Sequence, residues 1–408
     1  MNEMIPEEIK KALREEVLSG IAMDREMTDD EVMEIIDRTV VENGKRQGLS
    51  LRQKQELSRE LFYSIRRLDI LQELTDDPKV TEIMINGYRD IFIERAGRLY
   101  KWDKCFESKR KLSDVIQQIV ARCNRTVNES SPIVDARLEN GSRVNIVLDP
   151  VALNGPIVTI RRFPERPYLM KDLIAFGALD EETAAFIEKL VRAKYSCICS
   201  GGTGSGKTTF LNAMSDFIPK DERIITIEDS AELQIVGVDN LVRLETRNAN
   251  VEGCEEITIR DLIRSSLRMR PDRLIIGEVR GAETVDLLQC LNTGHDGSLS
   301  TIHANSAADM VSRLETMVLM GMDLPLSAVR GQIASGVDII VQLGRLRDKS
   351  RKVIEIAEVT GLKNDRVELS TLYRFKEEGE DDNGHIRGRL VRENKLIHTE
   401  KLRAAGIG

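Results

Sequence analysis

The run Gly201-Gly202-Thr203-Gly204-Ser205-Gly206-Lys207-Thr208-Thr209 has the spacing G-x-x-x-x-G-K-[ST]. Each residue type in it has a physical task. Glycines, lacking Cβ, let the backbone curl round an anion with its N–H groups turned inward. A helix starting at the end of the loop adds its positive N-terminal field. Lys207 is spaced to reach the β- and γ-phosphates of a nucleoside triphosphate, and the Thr208 hydroxyl to ligand Mg²⁺. The flanks supply the context this motif needs. Residues 195–199 read as a buried strand, and residues 208–217 as a helix with Phe210, Leu211 and Met214 on one face.

Hydrolysis also needs a carboxylate near Mg²⁺ and one to orient the attacking water. Glu228 follows the apolar run Ile224-Ile225-Thr226-Ile227, and Glu278 follows Leu274-Ile275-Ile276-Gly277. Both are strand-end positions, where parallel sheets build their sites. Either one could be the base with the other near the metal, and Asp229 is a third candidate. His303 ends a further strand on the same edge, where it could sense the γ-phosphate. Paired with His295 it could instead bind a metal, but no third ligand stands at suitable spacing. His385 and His398 read as surface groups. Arg260, Arg264 and Arg268 recur on one helix face, as a solvated basic face or a subunit interface.

These residues require alternating strands and helices, hence a mostly parallel sheet covered on both faces. The expected motor spans residues 176–375, with strands near 223–227, 274–276 and 298–302 and helices near 258–269, 283–291 and 306–319. Ahead of it, residues 1–74 read as helical, with capping-box patterns at Thr28-Asp29-Asp30-Glu31 and Ser50-Leu51-Arg52-Gln53. That segment is either a partner-binding module or a lid on the next domain. Residues 75–160 read as a small α/β domain. Its short strands are punctuated by Asn86-Gly87 and Ala96-Gly97, and a helix is expected near 112–123. Pro150, Pro156, Pro164 and Pro167 mark a linker, set at residues 161–175. The last segment, residues 376–408, opens on the acidic run Glu377-Glu378-Gly379-Glu380-Asp381-Asp382, read as a solvated loop, and ends in a short basic tail.

Composition narrows the partners. The net charge is -8 and aromatic residues make up 4%, which counts against a nucleic-acid track with stacking platforms. The six cysteines include no C-x-x-C pair, and Cys197 and Cys199 share one face of the strand entering the loop, as core residues rather than zinc ligands. No apolar run approaches the ~18–20 residues of a membrane span. The N-terminus has no basic region followed by an apolar one, so a cytoplasmic location is expected, with docking on a membrane protein left open.

The phosphate loop, Glu228-Asp229, Gly277-Glu278-Val279-Arg280 and the stretch from Thr293 to His303 resemble, in order, the four boxes of the secretion ATPase superfamily. The second carboxylate box has Gly277-Glu278 in place of a terminal Asp, that superfamily's own variant. Further stretches resemble the CpaF-type, or Tad (Flp) pilus assembly, ATPases. They are Ile83-Met84-Ile85-Asn86-Gly87, Asp135-Ala136-Arg137, Gly141-Ser142-Arg143-Val144-Asn145, Thr159-Ile160-Arg161-Arg162-Phe163 and Arg403-Ala404-Ala405-Gly406-Ile407.

The resemblance covers roughly residues 60–408. It implies an α/β fold, with a small domain before a RecA-like P-loop motor, in a homohexamer using ATP and Mg²⁺. It further implies docking beneath an inner-membrane platform and interfacial arginines at Arg137, Arg143, Arg161 and Arg162, with Arg143 and Arg137 reaching nucleotide. The four-cysteine zinc module of the general-secretion relatives is missing from the sequence. Four readings follow: a pilus assembly motor, a type IV secretion ATPase exporting protein or DNA, a nucleic-acid translocase, and a non-catalytic nucleotide-binding scaffold.

Overall fold

A computed structural model of the chain describes residues 5–21, 27–95, 97–138, 140–163, 166–247 and 255–407. Ala96, Pro164 and Cys254 lie outside these. The chain divides into two compact units, Met1–Glu165 and Arg166–Gly408.

The first unit opens with α1 (Glu7–Gly20), α2 (Asp29–Arg46), α3 (Leu51–Arg66) and α4 (Leu71–Asp76). Both capping boxes close: Thr28 and Ser50 accept from the backbones of Glu31 and Gln53, whose side chains reach back to the cap N–H groups. The helices bury Leu13, Val17, Ile36, Val40, Leu57 and Leu61 together.

Next come β1 (Val80–Asn86), β2 (Asp90–Arg95), β3 (Arg98–Lys101), α5 (Lys109–Arg122), β4 (Ile133–Arg137), β5 (Arg143–Val147) and β6 (Ile157–Arg161). They form a sheet in the order β3-β2-β1-β6-β5-β4 with antiparallel pairs throughout. Alternate residues of β1, β5 and β6 point into one core under α5. The β1–β2 turn needs Gly87, with φ 77° and room for no Cβ, which would lie 2.7 Å from the Asn154 carbonyl.

The proline-marked linker needs correction. Arg161 ends β6, a strand inside the sheet between β1 and β5, and Met170–Ala175 form a helix. The stretch without regular structure is therefore shorter than 161–175, while the division between the two units at Glu165 and Arg166 falls inside it. Pro150 and Pro156 precede β6, where no ladder N–H is lost.

The second unit contains α6 (Met170–Ala175), α7 (Glu181–Arg192), β7 (Cys197–Gly201), α8 (Lys207–Ser215), β8 (Ile224–Glu228), β9 (Leu241–Glu245), α9 (Ile259–Ser266) and β10 (Arg273–Ile276). It continues with α10 (Thr284–Leu291), β11 (Leu299–Ile302), α11 (Ala307–Gly321), α12 (Leu326–Gly336), β12 (Ile339–Arg345), β13 (Arg351–Lys363), β14 (Arg366–Glu380), β15 (Ile386–Arg392) and α13 (Glu400–Ala404). The sheet order is β15-β14-β13-β12-β7-β11-β10-β8-β9. The six strands from β12 to β9 run parallel, and β13 to β15 add an antiparallel flank. Strands β7, β8, β10 and β11 are buried along their whole length, as parallel strands covered on both faces must be. Cys197 and Cys199 pack in one core with Phe210, Leu211 and Met214; Ile198, Ile225 and Ile276 pack in the other.

The acidic run is a second correction. Glu377–Glu380 belong to β14 rather than to a loop, and Arg347 pairs with both Glu377 and Glu380. The basic tail is also pinned: Lys401 Nζ lies 2.7 Å from Asp338 and 2.8 Å from Asp296. His398 is more than a surface group, since its N–H and Nδ1 meet Glu358, a carboxylate 1% exposed.

Candidate active site

The loop between β7 and α8 wraps tightly. Gly204 and Gly206 have φ of 71° and 93°, left-handed values that glycine adopts without strain. A Cβ on Gly201 would lie 2.5 Å from Ser205 Oγ and 2.6 Å from the Leu343 carbonyl, so this glycine is required by space alone. Ser205 Oγ donates to the Gly202 carbonyl at 2.9 Å, closing the loop on itself. Lys207 opens α8, which places its ammonium beside the helix's free N–H groups. Thr208 and Thr209 follow in the first turn, and Thr203 lies in the loop with Gly202.

Lys207 is buried. Its Nζ donates to Gly202 O at 3.1 Å and lies 3.2 Å from both ring nitrogens of His303. His303 Nε2 is in turn 3.1 Å from Glu278 Oε1, while Arg280 holds Glu278 Oε2 at 3.0 Å and lies 3.8 Å from Asp229. A chain of groups thus runs from the phosphate loop through His303 to Glu278 and Arg280. The His303–Glu278 approach is close but poorly aligned, leaving Oε1 without a hydrogen bond. Desolvation lowers the His303 pKa, aided by Lys207, Arg280 and Arg313 and opposed by Glu278, which favours the neutral imidazole.

Glu228 ends β8 and is 2% exposed. Its Oε2 accepts from the N–H groups of Glu232 and Leu233 at 2.7 and 2.8 Å, shaping the chain after β8. Its Oε1 is buried without a partner. Burial pushes its pKa up to about 7, against the lowering effect of those two N–H donors. Gly277, before Glu278, packs on it: a Cβ there would lie 3.0 Å from Glu228 Cγ. The two strand-end carboxylates are therefore neighbours.

A cradle that excludes Cβ atoms, an ammonium at its inner end and two buried carboxylate oxygens without partners fit a nucleoside triphosphate with Mg²⁺. Thr208 and Glu278 would hold the ion, which when bound offsets phosphate charge. Beside Glu278 and Arg280 opens a cavity of about 340 Å³, also lined by Asp229, Thr246, Arg260 and Glu283.

The structure separates other candidates. His295 lies before β11 and His303 just after it, at opposite ends of the strand, so they cannot share a metal. Among the described residues, no group of three or more His, Cys, Asp or Glu is placed to hold a metal ion. Arg260 and Arg264 lie 2.7 and 2.9 Å from Asp286, a carboxylate 3% exposed on α10. Their first task is to neutralise that buried charge within the chain.

In the first unit, strand register aligns Arg137 with Arg143 and Arg143 with Arg161, a basic row across β4, β5 and β6. Arg137 Nε donates to Gly141 O at 3.1 Å, and Arg143 lies 3.8 Å from Asp135. Arg162 is a strut, donating to the carbonyls of Asp77 and Val80.

Sequence reading missed Arg280 as the Glu278 partner, although Gly277-Glu278-Val279-Arg280 was already singled out. It also missed Arg351, whose Nε donates to Gly204 O at 2.9 Å from a strand far along the chain.

A RecA-like parallel sheet carrying this loop and these strand-end carboxylates defines the class, a P-loop nucleotide hydrolase. The chain belongs to the type II/IV secretion system protein family, whose model matches residues 66–404. As a member of that family it is an enzyme, an ATP hydrolase. A putative conjugal transfer protein of Mycobacterium tuberculosis is 35% identical over 319 residues, 77% of this chain and 90% of that protein. The type IV secretion system protein VirB11 of Brucella abortus is 32% identical over 306 residues, 68% of this chain and 84% of that one. In fold, the chain resembles the pilus retraction motor PilT solved with bound ADP. That match has a TM-score of 0.53 and 17% identity, covering 83% of this chain and 86% of that one.

Proposed function

We propose that this chain is the Mg²⁺-dependent motor of a pilus-assembly or secretion machine, converting ATP hydrolysis into movement at an inner-membrane platform. The observation that carries the chemistry is the Lys207–His303–Glu278 chain at the phosphate loop. Lys207 offsets β/γ-phosphate charge, Glu278 or Glu228 orients the attacking water, and His303 links the γ-phosphate position to Glu278. ATP is the nucleotide expected, and the working form is a homohexamer at the inner face of the cell membrane. No helix among the described residues is long and apolar enough to cross a membrane.

The CpaF-type stretches favour Tad (Flp) pilus assembly. The M. tuberculosis relative, a putative conjugal transfer protein, and the B. abortus relative, a type IV secretion system protein, favour the second reading, a type IV secretion ATPase exporting protein or DNA. Deleting the gene and complementing with the parental or Lys207→Ala form separates them. Loss of surface pili, restored only by the parental form, supports assembly. Intact pili with lost transfer of DNA or protein moves the assignment to secretion.

The aligned arginines supply the remaining charge in this proposal. Arg143, or its cross-strand neighbour Arg137, acts on the nucleotide of a neighbouring protomer in the ring. An arginine finger accelerates phosphoryl transfer by about 10³–10⁵-fold. Arg143→Ala and Lys207→Ala protomers are each expected to be inactive, while mixed rings recover activity at sites with one intact loop and one intact arginine. Mixed rings that form but stay inactive would place the arginine's action within its own chain.

A further inference from the structure

The crest of the phosphate loop, Gly204 to Gly206, is held from inside by Ser205 Oγ and Lys207 Nζ, both donating to Gly202 O. From outside it is held by Arg351, whose Nε donates to Gly204 O at 2.9 Å. The Arg351 Cδ would lie 3.4 Å from a Cβ on Gly206, and Arg345 Nη1 3.8 Å from one on Gly204. Arg345 ends β12 and Arg351 begins β13. The two are cross-strand partners, so a pair of guanidinium groups borders the loop's outer side. Arg351 itself is exposed and contributes no core packing.

The turn between these arginines is firmly placed. Leu346 N donates to Ser350 O at 2.8 Å. Asp348 accepts from Ser350 N, from Ser350 Oγ and, at 2.8 Å, from Ile386 N at the start of β15. Arg347 clamps onto Glu377 and Glu380 of β14. The antiparallel flank of the sheet is therefore tied, through this turn, to the loop that cradles phosphate.

We propose that Arg351 is a positioning residue for nucleotide binding. Its hydrogen bond fixes the left-handed crest of the loop in its tightly wrapped conformation. A loop ordered in advance loses less conformational freedom when phosphate arrives. Arg351 acts on binding and stands outside the carboxylate and lysine chemistry, so it affects ADP and ATP alike. The Arg347 clamp to Glu377 and Glu380 is the second tier of the same support.

This inference rests on the nucleotide-hydrolase reading, and the test separates the two. Binding of the fluorescent nucleotide mant-ADP is titrated on the full chain, and KM and kcat for ATP are measured in parallel. Arg351→Ala is expected to weaken mant-ADP binding and raise KM by about tenfold, the scale of one charge-assisted hydrogen bond, with kcat unchanged. Arg351→Lys keeps an N–H donor and a positive charge and is expected to recover most of the loss. The double variant Glu377→Ala/Glu380→Ala frees Arg347 and is expected to weaken binding by about threefold. Affinity within twofold of parental in Arg351→Ala overturns the proposal, as does a loss that falls on kcat. A parental chain that binds no mant-ADP overturns the nucleotide reading, and this inference with it.

Discussion

Lys207→Ala is expected to abolish ATP hydrolysis and sharply weaken ATP binding. Lys207 is the buried cation at the inner end of the loop, 3.1 Å from Gly202 O and in contact with His303. Arg280 does not substitute for it, because it is engaged by Glu278 and Asp229. Removing one preorganised donor from a site of this kind costs about 10²–10³-fold in kcat, and a full charge at the β/γ-phosphates costs more. The same truncation leaves His303 beside Glu278 without its cationic neighbour, so the His303 pKa should rise toward its ordinary value. Phosphate release and equilibrium ATP binding check the first effect, and histidine NMR titration the second. Near-normal turnover would remove the lysine's assignment.

The second large effect is expected of the strand-end carboxylates. Glu278→Gln keeps size and hydrogen bonding to Arg280 but loses the charge that polarises water or holds Mg²⁺, so nucleotide should still bind while turnover collapses. Glu228→Gln should do the same, with an added signature in stability. The Glu228 carboxyl is pushed up to about 7 by burial, from an ordinary 4.5. A raised acid favours the folded state fully below its unfolded pKa, and that contribution fades as pH rises through about 7. At pH 8 the ionised, buried carboxylate should cost roughly 3 kcal/mol relative to pH 4. Parental thermal stability should therefore fall between pH 5 and 8, and the fall should be smaller in Glu228→Gln. Equal pH profiles for the two proteins would contradict the buried-acid assignment. Normal hydrolysis by both carboxylate variants would contradict the catalytic one.

The phosphate loop was legible in the sequence because its requirements are local. Glycines at left-handed positions, a lysine at the helix start and an apolar strand before it are contiguous residues. The buried parallel strands were legible for a related reason, since burial on both faces demands unbroken apolar runs such as Ile224 to Ile227. What escaped depends on residues distant in the chain. Glu377 to Glu380 have the composition of a solvated loop, and it is pairing with β15, together with Arg347 some thirty residues earlier, that makes them a strand with a task. The prolines around β6 suggested a linker because proline content does not reveal which N–H groups a ladder needs. The row of Arg137, Arg143 and Arg161 is set by strand register, which no single motif carries. Arg351 reaches Gly204 across 147 positions, and a lone arginine at a strand start gives no signal of it.

The central claim is that ATP is cleaved at the loop of residues 201–209, with Glu228 at the end of β8 and Glu278 just after β10 performing the chemistry. Its most direct test is phosphate released per molecule of bound ATP, measured in Mg²⁺ buffer for the parental, Lys207→Ala and Glu278→Gln chains. The account predicts that the parental chain turns over repeatedly and that Glu278→Gln holds ATP without releasing phosphate. Lys207→Ala should neither bind nor release at the same concentrations. Phosphate release by Lys207→Ala at the parental rate would contradict it.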